Sequence, residues 1–510
     1  MCGILAIHGP HDEPLARAML RRIKHRGPDG EGFLRLGQTQ LGHVRLAILD
    51  EAGGAQPMAN ETRDLAIAFN GEIYNHLELR RPLEQRHLFA SRSDTEVLLH
   101  LYEDEGEDML DRLDGMFALA LAGPHGLLLA RDPLGIKPLY VGRTGQTVLA
   151  ASELKAFPPM DTLEMLPAGH AVLAGGTPWR FAGPFPPGRP LRSPPLEEML
   201  REIRQRLDDA VVKRLMSDVP VGVYLSGGLD SCVVAALMRP HAVRLHSFTA
   251  GMAGAPDLKA AREAAAFLGT EHHELIYTEE DVVRALPEVI GHLESFDAPL
   301  VRSAVPMYFV SKVAAEHVKV VLSGEGADEL FAGYEYLASF GGGDRLKQEL
   351  ADIVIGLQDV NLQRADRMSM AHGLEARVPF LDRRLVRYVS RLPAEWLEPR
   401  PDRPAKWLLR EACRGLLPDS LLNRKKMKFS EGAGSSEVIA RHVISRITPA
   451  EFERDRRVDE GLELRSPEEL LYYRIWRDAL PAHISPLLIG RTRDRTAAVA
   501  SLRSDNSENL

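Results

Sequence analysis

The run Val221-Gly222-Val223-Tyr224-Leu225 breaks into Ser226-Gly227-Gly228 and resumes as Leu229-Asp230-Ser231-Cys232-Val233-Val234-Ala235-Ala236. β-Branched and apolar residues stopped by glycine and followed by helix formers predict a buried strand, a tight loop and a helix N-terminus. Such a junction suits an anion, because glycines let backbone N–H groups approach a polyphosphate and the helix dipole adds favourable potential. Asp230 stands where a carboxylate can hold Mg²⁺ against phosphate oxygens. No Gly-Lys-Ser/Thr follows, so this is not a Walker loop.

The design recurs downstream. Val318-Lys319-Val320-Val321-Leu322 leads into Ser323-Gly324-Glu325-Gly326-Ala327-Asp328, again strand, glycine loop, acid and helix. Between the two lie a short strand at Leu245–Gly251, a helix at Asp257–Leu268 closed by Gly269, and a strand at His272–Tyr277. Strand, helix, strand with connections of this length predicts right-handed crossovers and a parallel sheet with ligands at its carboxyl ends. Two such loops at neighbouring strand ends can clasp one nucleotide. His272-His273-Glu274 are neighbours on a strand and alternate faces, which argues against a metal site built from that tripeptide.

With 510 residues the chain exceeds one ordinary core, so two or three domains are expected. A net charge of −9 with dispersed lysine and arginine provides no basic field for nucleic acid. Three cysteines far apart, Cys2, Cys232 and Cys413, argue for a reducing compartment, and a cytoplasmic location is expected. No apolar stretch reaches the length of a membrane span, so no membrane partner is expected. Proline and glycine crowd 175–195 as a linker, giving an expected division into domains at 2–185 and 196–488. The Arg-, Thr- and Ser-rich end, 489–510, reads as a disordered tail.

The N-terminus carries a different chemistry. Removal of Met1 would give Cys2 a free α-amine beside its thiol, and such an amine titrates at about 7.7–8.0, suited to moving a proton to and from sulfur. Alone, a cysteine there would be a small buried apolar residue. Its company changes the reading: His25-Arg26-Gly27-Pro28-Asp29-Gly30, His43-Val44-Arg45-Leu46-Ala47-Ile48, Phe69-Asn70-Gly71-Glu72-Ile73-Tyr74-Asn75 and Ser93-Asp94-Thr95-Glu96 follow in order. Arg131-Asp132, after two apolar strands, reads as structural.

Together with Cys2, these motifs over residues 2–180 resemble the class II glutamine amidotransferases, N-terminal-nucleophile hydrolases. Ser-Gly-Gly-Leu-Asp-Ser resembles the pyrophosphate loop of ATP pyrophosphatases. With Arg364-Ala365-Asp366-Arg367-Met368-Ser369-Met370-Ala371 and Leu374-Glu375-Ala376-Arg377-Val378-Pro379-Phe380-Leu381-Asp382, the chain to about residue 480 is similar to the glutamine-dependent asparagine synthetases. The resemblance implies an α/β protein: two packed antiparallel sheets in a glutaminase domain, then a doubly wound parallel sheet in an ATP-pyrophosphatase domain.

It also implies roles. Cys2 is the nucleophile, with Asn70 and Gly71 as the oxyanion hole. Arg45, Leu46, Ala47, Ile48, Leu49, Asn70, Gly71, Glu72 and Asp94 bind glutamine. Leu225, Ser226, Gly227, Gly228, Asp230, Ser231, Ala250, Ser323, Gly324 and Lys426 bind ATP; Asp230 and Asp328 hold Mg²⁺. Glu325 supports the acyl-adenylate step, and Arg302 is a candidate for the acceptor carboxylate. The implied substrates are glutamine, ATP and aspartate, or another carboxylate amidated by the same machinery, in a homodimer. Gly341-Gly342-Gly343 reads as a mobile loop.

Overall fold

The computed structural model describes residues 2–185, 191, 194–340 and 342–493. Parts of the expected linker and tail, and Gly341, therefore lie outside the described residues.

The first part of the chain forms two six-stranded sheets with antiparallel pairing. Its strands are β1 (Gly3–His8), β2 (Gly30–Leu36), β3 (Thr39–Arg45), β4 (Met58–Ala59), β5 (Ala66–Ile73), β6 (Gly115–Gly123), β7 (Gly126–Arg131), β8 (Tyr140–Thr144), β9 (Thr147–Ala151), β10 (Thr162–Met165), β11 (His170–Leu173) and β12 (Trp179–Arg180). One sheet runs β10-β8-β9-β1-β3-β2, the other β12-β11-β7-β6-β5-β4. Between them Ile4, Ala6 and Leu41 meet Ala66, Ala68, Ala118 and Ala120, all buried. This facing brings the strand that follows Cys2 against β5, which carries Asn70-Gly71-Glu72. The expected pair of packed antiparallel sheets is present. So is the structural role of Arg131-Asp132: Arg131 donates to the carbonyls of Gly135, Lys137 and Leu166, while Asp132 accepts from the amides of Leu134, Ile136 and Lys137.

The second part holds a five-stranded parallel sheet, ordered β15-β14-β13-β16-β17. These strands are β13 (Val221–Tyr224), β14 (His246–Met252), β15 (Glu271–Tyr277), β16 (Val320–Leu322) and β17 (Glu375–Arg377). The order reverses at β13, so the loops after β13 and β16 flank the topological switch point, where a doubly wound sheet opens a crevice. The helix Leu229–Met238 is apolar all round and, except for Asp230, buried throughout, as a helix at the centre of a large domain must be. Helix Pro256–Leu268 ends at Gly269 with φ +61, the left-handed cap that favours glycine. β16 begins two residues later than the sequence suggests, at Val320, because Val318 closes the preceding helix by bonding Ala314.

The two parts meet through buried ions and apolar contacts. Arg26 pairs with Glu153 and Asp366, each at 2.9 Å, and Arg367 with Glu153 at 2.8 Å and Glu294 at 3.0 Å. Met116, Leu134 and Ile136 pack with Val354, Leu357 and Val378. Residues 489–493 depart from a free tail. The Arg491 Nε lies 2.9 Å from Glu469 Oε1, and the Thr492 hydroxyl donates to Asp297 at 2.6 Å, because buried carboxylates need partners. Among the described residues no helix is long and apolar enough to cross a membrane.

Candidate active site

Cys2 is buried immediately before β1, its backbone N donating to Asn70 Oδ1 at 3.0 Å and its carbonyl accepting from Arg26 Nε at 3.1 Å. Burial pushes its thiol up, and a hydrogen bond from the Leu46 amide opposes that. Asn70 is fully buried, and its Nδ2 has no protein partner. A buried orphan donor is costly, about 1–3 kcal/mol, unless a ligand accepts from it. A Cβ on Gly71 would lie 2.1 Å from the Met116 carbonyl oxygen, so only glycine fits there.

Arg45 ends β3, and the loop Leu46-Ala47-Ile48-Leu49 follows it. The guanidinium is set by three carbonyls of the next turn, Leu49 at 3.2 Å and Asp50 and Glu51 at 2.7 Å each. Ala47 is fixed from both sides, its amide donating to Asp29 at 2.8 Å while Asp29 pairs with Lys319 at 2.7 Å. Asp94 caps the region, accepting from the Ile73 amide at 2.8 Å. Burial raises both carboxyls, Asp94 and Glu72; Glu375 raises Glu72 further and Arg377 opposes it. Glu72 Oε2 is buried without a hydrogen-bond partner.

The second cluster sits at the switch point of the parallel sheet. Leu225 extends β13 by donating to Phe248 at 2.8 Å, and Gly227 turns the loop at φ +71, where a Cβ would lie 2.4 Å from the Ala260 carbonyl carbon. The Ser226 and Ser231 hydroxyls lie 3.2 Å apart, and the Gly228 amide donates to Ser226 Oγ at 3.3 Å. Ala250 lies on adjacent β14, buried. The loop after β16 touches this one: a Cβ on Gly324 would lie 2.8 Å from Asp230 Cβ. The Ser323 amide donates to the Arg377 carbonyl at 2.8 Å. Glu325 is in an ion pair with Arg364.

Asp230 and Asp328 come together as expected, but around a residue that the sequence reading did not single out. Lys406 Nζ lies 2.5 Å from Asp230 Oδ2 and 2.7 Å from Asp328 Oδ1, and Lys426 also bonds Asp328. Burial raises the Asp230 carboxyl against the pull of Lys406; burial also acts on Asp328, yet Lys406 and Lys426 hold it low. Lys406 is buried and left-handed at φ +60, conformational strain kept in place by two carboxylates. Asp230 Oδ1 is buried without a protein partner, a donor atom of the type Mg²⁺ requires, so the residues fit that ion. Arg424 was missed too; it donates to the Ser226 carbonyl at 3.1 Å and pairs with Asp257 at 2.9 Å. A single lysine such as Lys406 carries no sequence signal of such a role, and Arg424 stands in a basic run with Lys425 and Lys426 that reads equally well as a solvated face.

Arg302 is not brought to either cluster as a free cation. Its Nε lies 2.8 Å from Glu468 Oε1 and 3.0 Å from Oε2, so its guanidinium is taken up by a carboxylate of the chain itself.

The chain matches the family described as Glutamine amidotransferase domain over residues 1–172, and that described as Asparagine synthase over 202–351 and 338–503. An Asparagine synthetase [glutamine-hydrolyzing] of Asparagus officinalis is 40% identical over 480 residues, 88% of this chain and 81% of the relative. That of Sandersonia aurantiaca is 40% identical over 463 residues, covering 86% and 88%, and one from Arabidopsis thaliana 41% over 470 residues, covering 86% and 80%. With both family matches in tandem on the two clusters just described, the chain belongs to the asparagine synthase family and carries a glutamine amidotransferase domain at its N-terminal end.

Proposed function

We propose that this chain is a glutamine-hydrolysing asparagine synthetase, built as a glutaminase domain over 2–185 and a synthetase domain over 196–488. The observation that carries the proposal is the meeting of the two glycine loops at Asp230 and Gly324, on a chain that also sets Cys2 against Asn70.

In the glutaminase half, Met1 is removed and the Cys2 α-amine takes the thiol proton as Sγ attacks the glutamine amide carbon. Asn70 Nδ2 and the Gly71 amide receive the oxyanion. Collapse expels ammonia and leaves a thioester, which water hydrolyses to glutamate. Arg45 matches the free carboxylate of glutamine, and Asp94 with Glu72 its ammonium, while the backbone of Leu46, Ala47, Ile48 and Leu49 shapes the wall.

In the synthetase half, an aspartate side-chain oxygen attacks the α-phosphorus of ATP and pyrophosphate leaves. Leu225, Ala250, Ser323 and Gly324 hold the adenosine end; Ser226, Gly227, Gly228 and Ser231 hold the departing phosphates. Asp230 and Asp328 would hold Mg²⁺, which would supply charge neutralisation to the pyrophosphate; Lys406 and Lys426 add positive charge beside them. Ammonia attacks the acyl carbon, AMP leaves, and Glu325 takes the proton. Arg302, the candidate for the acceptor carboxylate, is paired with Glu468 in the free chain and would have to exchange that partner to take the role.

Pyrophosphate release by purified protein with glutamine, ATP and Mg²⁺ tests this reading across candidate acids. Release that depends on aspartate, with asparagine formed in equal amount, is expected; dependence on a different carboxylate and none on aspartate would overturn the assignment of acceptor. Sedimentation of the same protein tests the homodimer that accompanies this reading.

A further inference from the structure

The start of the parallel sheet carries a side-chain cluster that neither half-reaction uses. His246 opens β14 and stands in register with Glu271 on β15; His273, two residues after Glu271, shares that face. His272 points to the other face, its Nδ1 2.8 Å from Ser247 Oγ, so the grouping crosses strands and is not the tripeptide visible in the sequence.

His246 Nδ1 lies 3.1 Å from His273 Nε2, and Glu271 Oε1 lies 3.9 Å and 3.8 Å from those two nitrogens. A point equidistant from the three atoms is about 2.1 Å from each, within the about 2.0–2.2 Å of zinc–nitrogen and zinc–oxygen bonds. We propose that His246, Glu271 and His273 form a binding site for a divalent transition-metal ion of the zinc type.

The surroundings hold the three ligand atoms in place. Arg244 Nε takes the other Glu271 oxygen at 3.0 Å, which turns Oε1 toward the imidazoles. The His317 ring stacks on His273 at 3.8 Å between centroids, and Phe248 lies 5.3 Å from the same ring. Glu271 has 42% of its side chain exposed and the histidines 13% and 17%, so an ion can enter and keep water in a fourth position. Two imidazoles favour zinc, cobalt or nickel over magnesium, which prefers oxygen. The ligands lie at the amino end of β14, away from Ala250 near its carboxyl end, and so are separate from the Asp230–Asp328 pair. A bound ion ties β14 to β15 and stabilises only the folded chain.

A second histidine group, His87 with His100 and Glu61, serves as a control, since both nitrogens of His87 already face carboxylates, Glu103 at 3.3 Å and Asp104 at 3.0 Å. The test uses full-length protein stripped with chelator, dialysed into excess Mg²⁺, and titrated with Co²⁺ and with Zn²⁺. Expected are one more bound ion per chain in the wild type than in His273→Ala, tetrahedral Co²⁺ absorption bands lost in that variant, and a zinc-induced rise in Tm absent from it. His87→Ala is expected to match the wild type. Equal stoichiometry in wild type and His273→Ala, or loss of the ion in His87→Ala instead, overturns the proposal. Should His273→Ala fail to fold, His246→Gln at the half-buried start of β14 gives the same readout.

Discussion

Arg377 on β17 reaches Glu72 on β5 with its side chain, Nη2 to Oε1 at 3.2 Å, while its own carbonyl accepts the Ser323 amide at 2.8 Å. One fully buried residue therefore touches both a carboxylate of the glutamine site and the backbone of the second glycine loop. Its guanidinium also meets Glu375 at 2.5 Å and the carbonyls of Arg214 and Met216 at 2.7 and 2.6 Å.

Removing that guanidinium leaves Glu72 and Glu375 facing one another in the interior. Arg377→Met is expected to lower stability by about 3–5 kcal/mol, the usual effect of orphaning a buried charge. Arg377→Lys keeps the charge but not the fork, and is expected to lower glutamine-dependent synthesis more than ammonia-dependent synthesis. Denaturant unfolding and the ratio of the two activities check this; an unchanged ratio would count against a linking role.

Lys406 makes a sharper case, because it holds two carboxylates that would otherwise repel. Lys406→Ala is expected to destabilise the free protein by about 3–5 kcal/mol. Millimolar Mg²⁺ is expected to restore part of the Tm, since a divalent ion can occupy the place of the ammonium between Asp230 and Asp328. A variant as stable as wild type, or one indifferent to Mg²⁺, contradicts that placement.

Gly324→Ala pushes a methyl group to 2.8 Å from Asp230 Cβ, between the loop after β16 and the first turn of the helix Leu229–Met238. Glutaminase activity is expected to survive while adenylation, read as pyrophosphate exchange, drops at least tenfold. Equal loss of both activities would mean that the loops are not a local device of the synthetase half.

His43 is one source of acid sensitivity, alongside the buried His292 and His372. Burial pushes the His43 ring down to about 3, while an unfolded histidine titrates at about 6.5. As pH falls below 6.5 the unfolded chain takes the proton first, so stability is lost progressively between pH 6.5 and about 3. His43 Nε2 lies 3.2 Å from the Phe69 carbonyl oxygen, a contact that Gln can replace. His43→Gln is expected to flatten the decline of Tm with acid; the same slope in both proteins would assign the sensitivity elsewhere.

Much of this was legible in the sequence because glycine loops and strand runs are local signals. The strand, loop and helix around Gly227 needed only φ freedom and apolar periodicity to be seen, and Cys2, Asn70 and Asp94 were named by motif. Lys406 was not, because its partners at Asp230 and Asp328 lie far away in sequence and meet it only through the sheet order. Glu375 and Arg377 stood in a recognisable string, yet their pairing with Glu72 depends on how the two halves dock. Arg302 shows the converse: an isolated arginine suggested a carboxylate ligand, and the partner it found was Glu468.

The proposed function requires Cys2 to supply ammonia to an acyl adenylate held where the Gly324 loop meets Asp230. Amide-¹⁵N-glutamine, aspartate, ATP and Mg²⁺ given to wild type and to Cys2→Ala, with unlabelled ammonia present, measures this most directly. Expected are ¹⁵N-asparagine from the wild type and unlabelled asparagine alone from a folded Cys2→Ala. Labelled asparagine from that variant, or no aspartate-dependent asparagine from either protein, would contradict it.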